Sequence, residues 1–78
     1  MIEKSYLLKL EAHKGIIYKM INLYADDEED RKDLYQEIVY QSWKAFARFK
    51  GDAQFSTWLY KISLNVALTF LSKQKKTG

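Results

Sequence analysis

A chain of 78 residues with a formal net charge of +3 and no cysteine can form at most one small domain, without disulfides or cysteine-ligated metal to support it. The single histidine leaves no second strong zinc ligand, and no apolar run approaches the roughly 20 residues that cross a bilayer. We therefore expect a soluble, cytoplasmic domain that is held together by apolar packing and needs no cofactor.

The charges are divided unevenly along the chain. Residues 1–43 carry six basic and nine acidic side chains, whereas residues 44–78 carry seven basic side chains and one acid. Such a division favours two partners of opposite character, with a nucleic acid on the basic side. A small domain can also acquire uneven charges by chance, so charge alone leaves both interpretations open.

The first part of the chain has the spacing of helices. The absence of proline and the abundance of Leu, Ile, Ala, Lys and Glu predict an all-α protein. Gly15 predicts a bend or break between two helices, with no loop. The five acids Asp26 to Asp30 predict a turn whose last residues cap the next helix. The apolar positions at helical spacing before this turn are Leu7, Leu10, Ile17, Met20, Ile21 and Tyr24.

A second long helix is predicted after the acidic turn. Its buried face is expected to carry Leu34, Ile38, Ala45, Phe46 and Phe49, and Phe49 to close the helix. A polar group is expected away from that face, and it is either a solvated surface or a docking site for a basic partner. This polar group consists of Asp33, Gln36, Glu37 and Tyr40.

A turn at 50–52 precedes the last predicted helix, because Gly51 supplies freedom in φ. Ser56 or Thr57 can cap this helix, with Phe55 placed as a hydrophobic staple. The lysines of the last turn suit the helix dipole or form a solubilising tail. The inward stripe is predicted at Trp58, Leu59, Ile62, Val66 and Phe70.

The residue types give no indication of catalysis, so we expect a protein that is not an enzyme. There is no cysteine nucleophile and no Gly-rich phosphate loop, and the carboxylates are massed in an exposed turn. The start of the last helix instead combines rings that stack on a base, an amide that bonds a base edge and a lysine for phosphate. Phe55 and Trp58 also fall on the packed face, which favours a core role for both. Tyr60, Lys61 and Asn65 are the better candidates for outward contact.

Two motifs, DLYQE at 33–37 and FKGDAQFSTWLYKISLN at 49–65, resemble region two of bacterial sigma factors, in particular the extracytoplasmic-function (ECF) group. The resemblance covers roughly residues 8–76. It implies a compact bundle of three to four helices, one domain over 1–78, that binds core RNA polymerase and recognises and helps melt the promoter minus-ten element. It also implies an excised domain, because the part that binds the minus-thirty-five element is absent.

The resemblance assigns roles to individual residues. Docking on the β′ clamp helices falls on Asp33, Gln36, Glu37 and Tyr40. Capture of the non-template single strand falls on Lys50, Gly51, Asp52, Gln54, Phe55, Ser56, Thr57, Trp58, Lys61 and Asn65, to which the outward position of Tyr60 adds that residue. Many family members have an acid and an arginine where this chain has Thr69 and Ser72, so phosphate contacts are expected to shift to Lys73, Lys75 and Lys76. An anti-sigma protein is a further expected partner, and membrane insertion is not expected.

An alternative from another class is a helical protein-interaction adaptor or sigma-like regulator that never touches DNA. It predicts that Leu64, Leu68 and Leu71 form a groove for a protein partner. Under the sigma-factor interpretation, the same leucines pack on the first helix or face a second sigma domain or an anti-sigma protein.

Overall fold

The computed structural model describes residues 4–51 and 53–77, with side chains described as far as Lys73. These residues form four helices: α1 (Lys4–Ala12), α2 (Lys14–Tyr24), α3 (Glu28–Phe46) and α4 (Phe55–Thr77). Helix α4 packs against both α2 and α3, which also contact each other. The predicted all-α bundle is confirmed. Within the described ranges, no helix is both long enough and apolar enough to cross a membrane.

A single residue, His13, separates α1 from α2. Its backbone has φ −124° and ψ 20°, and one ring nitrogen, Nδ1, lies 2.8 Å from the carbonyl oxygen of Lys9. The prediction of a break without a loop is confirmed, but the break falls two residues before Gly15. Gly15 itself lies inside α2, where an added Cβ would meet no atom within 4 Å.

The acidic run forms the start of α3. One carboxylate oxygen of Asp27 accepts a hydrogen bond from the backbone N–H of Asp30 at 2.8 Å. Glu28, Glu29 and Asp30 occupy the first helical turn, where their charges complement the positive end of the dipole. The predicted capping role is confirmed. The turn is shorter than predicted, because the capping residue is the second acid of the run and not one of the last.

The connection between α3 and α4 is longer than predicted. Helix α3 ends at Phe46, so Phe49 lies in the connection, where its N–H donates to the Phe46 carbonyl at 3.0 Å. Helix α4 begins at Phe55, and the Trp58 N–H donates to the carbonyl of Gln54 at 3.1 Å. The predicted cap at Ser56 or Thr57 was wrong, since both residues lie inside the first turn.

The core positions differ from the apolar pattern in three places. Tyr6 is fully buried whereas Leu7 is exposed, so α1 turns a different face inward than predicted. Ser42 and Ser63 are also fully buried, because small side chains allow helices to approach closely. The most buried line of α4 consists of Phe55, Leu59, Ser63 and Ala67, with the other members of the predicted stripe, Trp58, Ile62, Val66 and Phe70, half-buried beside it.

A buried hydroxyl pair fastens α1 to α3. The Tyr6 hydroxyl lies 2.6 Å from Ser42 Oγ and donates to the Val39 carbonyl at 3.1 Å. Burial raises the pKa of the Tyr6 hydroxyl, because the ionised form would lose its hydration, while the hydrogen bond to Ser42 opposes the shift. The neutral hydroxyl is therefore the form that the fold requires.

We expect Tyr6→Phe to lower the free energy of unfolding by about 1–2 kcal/mol, because it leaves Ser42 with one fewer buried partner. The matched control, Tyr60→Phe, removes a hydroxyl from a ring that is 47% exposed, and we expect a change below about 0.5 kcal/mol. Urea unfolding followed by tryptophan fluorescence measures both. Equal losses in the two variants would contradict a stabilising role for the buried pair.

The free energy of unfolding of Tyr6→Phe should also depend on pH differently from that of the unmodified protein. Because the folded pKa of Tyr6 is raised, its contribution to stability is complete below the unfolded pKa of about 10 and is lost as pH rises through the folded value. Unfolding free energies measured above pH 10 should therefore fall less steeply in Tyr6→Phe than in the unmodified protein.

Candidate functional site

Four aromatic rings meet where α3 ends and α4 begins. All pairs among Phe46, Phe49, Phe55 and Trp58 are in contact, with centroid distances from 4.9 to 6.3 Å. Most of the pairs are tilted or edge-to-face, the arrangements that the ring quadrupoles favour. This four-ring cluster holds the connection between the two helices against their ends.

The four-ring cluster covers most of the surface of Phe55, one of the predicted DNA-binding residues. The side chain of Phe55 is only 7% exposed and touches the three other rings, so little of its surface is available to a base. The burial of Phe55 agrees with the core role that its position on the packed face favoured, and it leaves little ring surface for the strand contact that the resemblance implies. Trp58 is half-buried and keeps part of its ring accessible.

Polar and cationic side chains surround the cluster. Ser56 is half-buried, and Asp52 lies outside the described residues. Gly51 has φ +80°, in the left-handed region that favours glycine. The predicted DNA-binding residues that are exposed here are Lys50, Gly51, Gln54, Thr57, Tyr60 and Lys61.

The two described glycines offer a matched pair of substitutions. Gly51→Ala should lower the free energy of unfolding by about 1 kcal/mol, because an L-residue is strained at this φ although no atom obstructs the new Cβ. Gly15→Ala should raise it by about 0.5 kcal/mol, because alanine favours the helix that this position already adopts. Chemical denaturation measures both, and a stabilising Gly51→Ala would refute the strain at that position.

A groove of about 430 Å³ runs between α3 and α4. Its floor is apolar, and Glu37 at its rim accepts a hydrogen bond from the Gln41 amide at 2.7 Å. Asn65 and Lys73, predicted for DNA, therefore line the same groove as Asp33 and Glu37, predicted for polymerase. The two predicted surfaces meet here, which the division into acidic and basic halves did not indicate. The side chains of Lys75 and Lys76 lie outside the described set.

The remaining polar residues of α3 form a crest between two grooves. Gln36 lines a second groove of about 530 Å³ between α2 and α3, where the rings of Tyr18 and Tyr35 stack at 5.6 Å. Tyr40 is 50% exposed, with Lys44 Nζ 5.0 Å from its ring centroid. We use the name α3 crest for Asp33, Gln36, Glu37 and Tyr40, which are all exposed.

The carboxylates of the α3 crest have no cationic partner among the described side chains. Within that set, the one salt bridge joins Lys14 and Glu11 at 2.9 Å. Asp33 and Glu37 are thus exposed and form no ion pair among the described side chains, although Lys73 lines the same groove.

Sequence reasoning missed the residues that reach the four-ring cluster from the other end of the chain. The His13 ring lies 5.2 Å from that of Phe55, and Lys9 Nζ lies 6.0 Å from the same ring centroid. No spacing rule relates residues so distant in sequence, so only the fold reveals this contact.

Comparison with known proteins now identifies the family. The model of Sigma-70 region 2 matches residues 10–77. The chain belongs to this family. The predicted resemblance to region two of ECF sigma factors is thereby confirmed.

Individual relatives agree with this result. The RNA polymerase sigma-H factor of Pseudomonas aeruginosa is 34% identical over 69 residues, which cover 88% of this chain and 36% of the relative. The ECF RNA polymerase sigma-E factor of Escherichia coli is 29% identical over 72 residues, covering 92% and 37%. The RNA polymerase sigma factor SigV of Bacillus subtilis is 30% identical over 64 residues, covering 82% and 39%. The chain thus spans little more than a third of these relatives, and no solved structure matches it.

Proposed function

We propose that this region 2 domain docks on core RNA polymerase through the α3 crest and captures the non-template strand of the minus-ten element at the start of α4. The observation that carries the proposal is the placement, on one helical scaffold, of an exposed α3 crest whose carboxylates form no ion pair among the described side chains and of an aromatic, cationic surface at the start of α4. Family membership supports the same assignment.

The polymerase contact is argued from charge and shape. Asp33 and Glu37 are exposed and lack cationic partners within the described side chains, so a basic partner gains charge-assisted hydrogen bonds without displacing an existing pair. Grooves on both sides of the α3 crest can take side chains from a helical surface such as the β′ clamp helices. At 1.5 Å per residue along α3, Asp33 lies roughly 20 Å and Glu37 roughly 14 Å from Phe46, so contacts at the two carboxylates leave the four-ring cluster open, whereas Tyr40 lies roughly 9 Å from it.

We expect Glu37→Lys to weaken binding to the isolated β′ clamp helices at least about tenfold, because it replaces an attraction with a repulsion. Asp26→Lys is the matched control, since it makes the same change of charge in the loop before α3. Isothermal titration calorimetry measures both affinities. Equal affinities for Glu37→Lys and the control would argue against docking at the α3 crest.

The strand contact is argued from exposure and charge. Tyr60 offers an exposed ring and Lys61 an exposed cation, one residue apart and close in sequence to the half-buried Trp58. Asn65 follows Lys61 by four positions, on the neighbouring turn. The groove beside Asn65 also contains Asp33, Glu37 and Lys73, so a phosphate there would meet two repelling carboxylates and one attracting ammonium group.

The binding test compares single-stranded DNA with its duplex. We expect a fluorescein-labelled 20-nucleotide strand of randomised sequence to bind more tightly than the duplex form, with an affinity that falls as salt rises. Tyr60→Ala should weaken binding about fivefold or more, the loss of one stacked base, and Lys61→Ala should weaken it by removing a phosphate contact. Fluorescence anisotropy measures each affinity.

Lys32→Ala, on the opposite end of the scaffold in α3, is the control and should leave the affinity nearly unchanged. A preference for the duplex, or equal losses in all three variants, would count against strand capture at this surface.

The alternative function, an adaptor that does not bind DNA, gains little support from the leucines that it requires. Leu64 and Leu71 are half-buried against the bundle, and only Leu68 of the three is clearly exposed, at 49%. A stripe with one exposed member offers little apolar area to a partner.

A further inference from the structure

The junction of α1 and α2 lies against the four-ring cluster. The His13 ring packs on Phe55 at 5.2 Å, and the Lys9 ammonium lies 6.0 Å from the same ring. Trp58 is also a direct neighbour of Phe55, at 5.2 Å between centroids. A cation from α1 and the partly accessible ring of α4 thus both lie next to one buried side chain.

Lys9 is available as a cation. It is exposed, and it has no carboxylate partner among the described side chains. Lys14, on the far side of the junction, is by contrast paired with Glu11 at 2.9 Å. Lys9 also lies in the last turn of α1, where it suits the dipole, but that role does not require a position over Phe55.

His13 is held in place by the same junction. Its Nδ1 lies 2.8 Å from the Lys9 carbonyl oxygen and donates to it, which fixes the ring against the last turn of α1. The side chain is half-buried, so its orientation is set by packing on Phe55 as well as by this hydrogen bond.

We propose that Lys9 contacts the phosphate backbone of the strand that the start of α4 captures, and that His13, packed on Phe55, positions the end of α1 that carries Lys9. The inference rests on the proposed function, because it extends the same surface from α4 to α1. The ligand class is a single-stranded nucleic acid backbone, to which lysine supplies charge. Neither residue belongs to the motifs that carry the family resemblance.

The decisive experiment compares Lys9→Gln with Lys19→Gln, which removes the same charge from an exposed position of α2. The probe is the labelled 20-nucleotide strand, titrated at several salt concentrations. Lys9→Gln should lower the affinity several-fold and reduce the slope of log K against log salt by about 0.7, the value of one phosphate contact on a single strand. Lys19→Gln should change neither quantity beyond a small uniform effect of net charge.

Two further variants separate a phosphate contact from a structural role. Lys9→Arg keeps the charge and should retain both the affinity and the salt slope. His13→Gln keeps a donor for the Lys9 carbonyl and should weaken binding less than Lys9→Gln, without changing the salt slope at pH 8. A loss of affinity in Lys9→Arg equal to that in Lys9→Gln would overturn the phosphate contact.

The outcomes distinguish this inference from the function on which it rests. If the unmodified domain binds the strand and Lys9→Gln behaves like Lys19→Gln, the contact from α1 is refuted and strand capture by α4 stands. If the unmodified domain does not bind single strands, both are refuted. A smaller salt slope in Lys9→Gln alone supports both.

Discussion

The packing of Phe55 among the other rings is the contact on which the rest of this structure depends. Phe55 packs on Trp58 in the first turn of α4, on Phe49 of the connection and on the ring of His13. A ring that is 93% covered offers little surface to a ligand, and its contacts hold the more exposed rings beside it. In the first turn of α4, Phe55 thus has a packing role, whereas Trp58 keeps part of its ring accessible.

The second constraint is the distribution of charge along α3. Its first turn holds three acids that serve the helix dipole, whereas Asp33 and Glu37 lie further along and form no ion pair among the described side chains. Glu37 accepts a hydrogen bond from the Gln41 amide on the next turn. Their shared groove with Asn65 and Lys73 means that a protein and a strand, bound together, would approach one another closely.

Much of the fold could be predicted because it depends on local chemistry. The apolar spacing located the helices, and the acidic run indicated a cap at the start of α3, although the capping residue is Asp27 and not one of the last acids. Ser42 and Ser63 could not be predicted as core residues, because a hydroxyl carries no apolar signal and its burial reflects the close approach of helices. The contact of Lys9 and His13 with Phe55, and the groove that joins Asn65 to Glu37, depend on how helices cross, which no local pattern encodes.

The first helix bears on where this domain begins. The family match starts at residue 10, yet Tyr6 is completely covered and bonds to Ser42, and its ring lies 5.4 Å from that of Phe46. A fragment that began at residue 10 would lack Tyr6, so the Ser42 hydroxyl and the Phe46 ring would both lose a buried partner. The packing of Tyr6 therefore shows that the folded unit includes the part of α1 that precedes the family match.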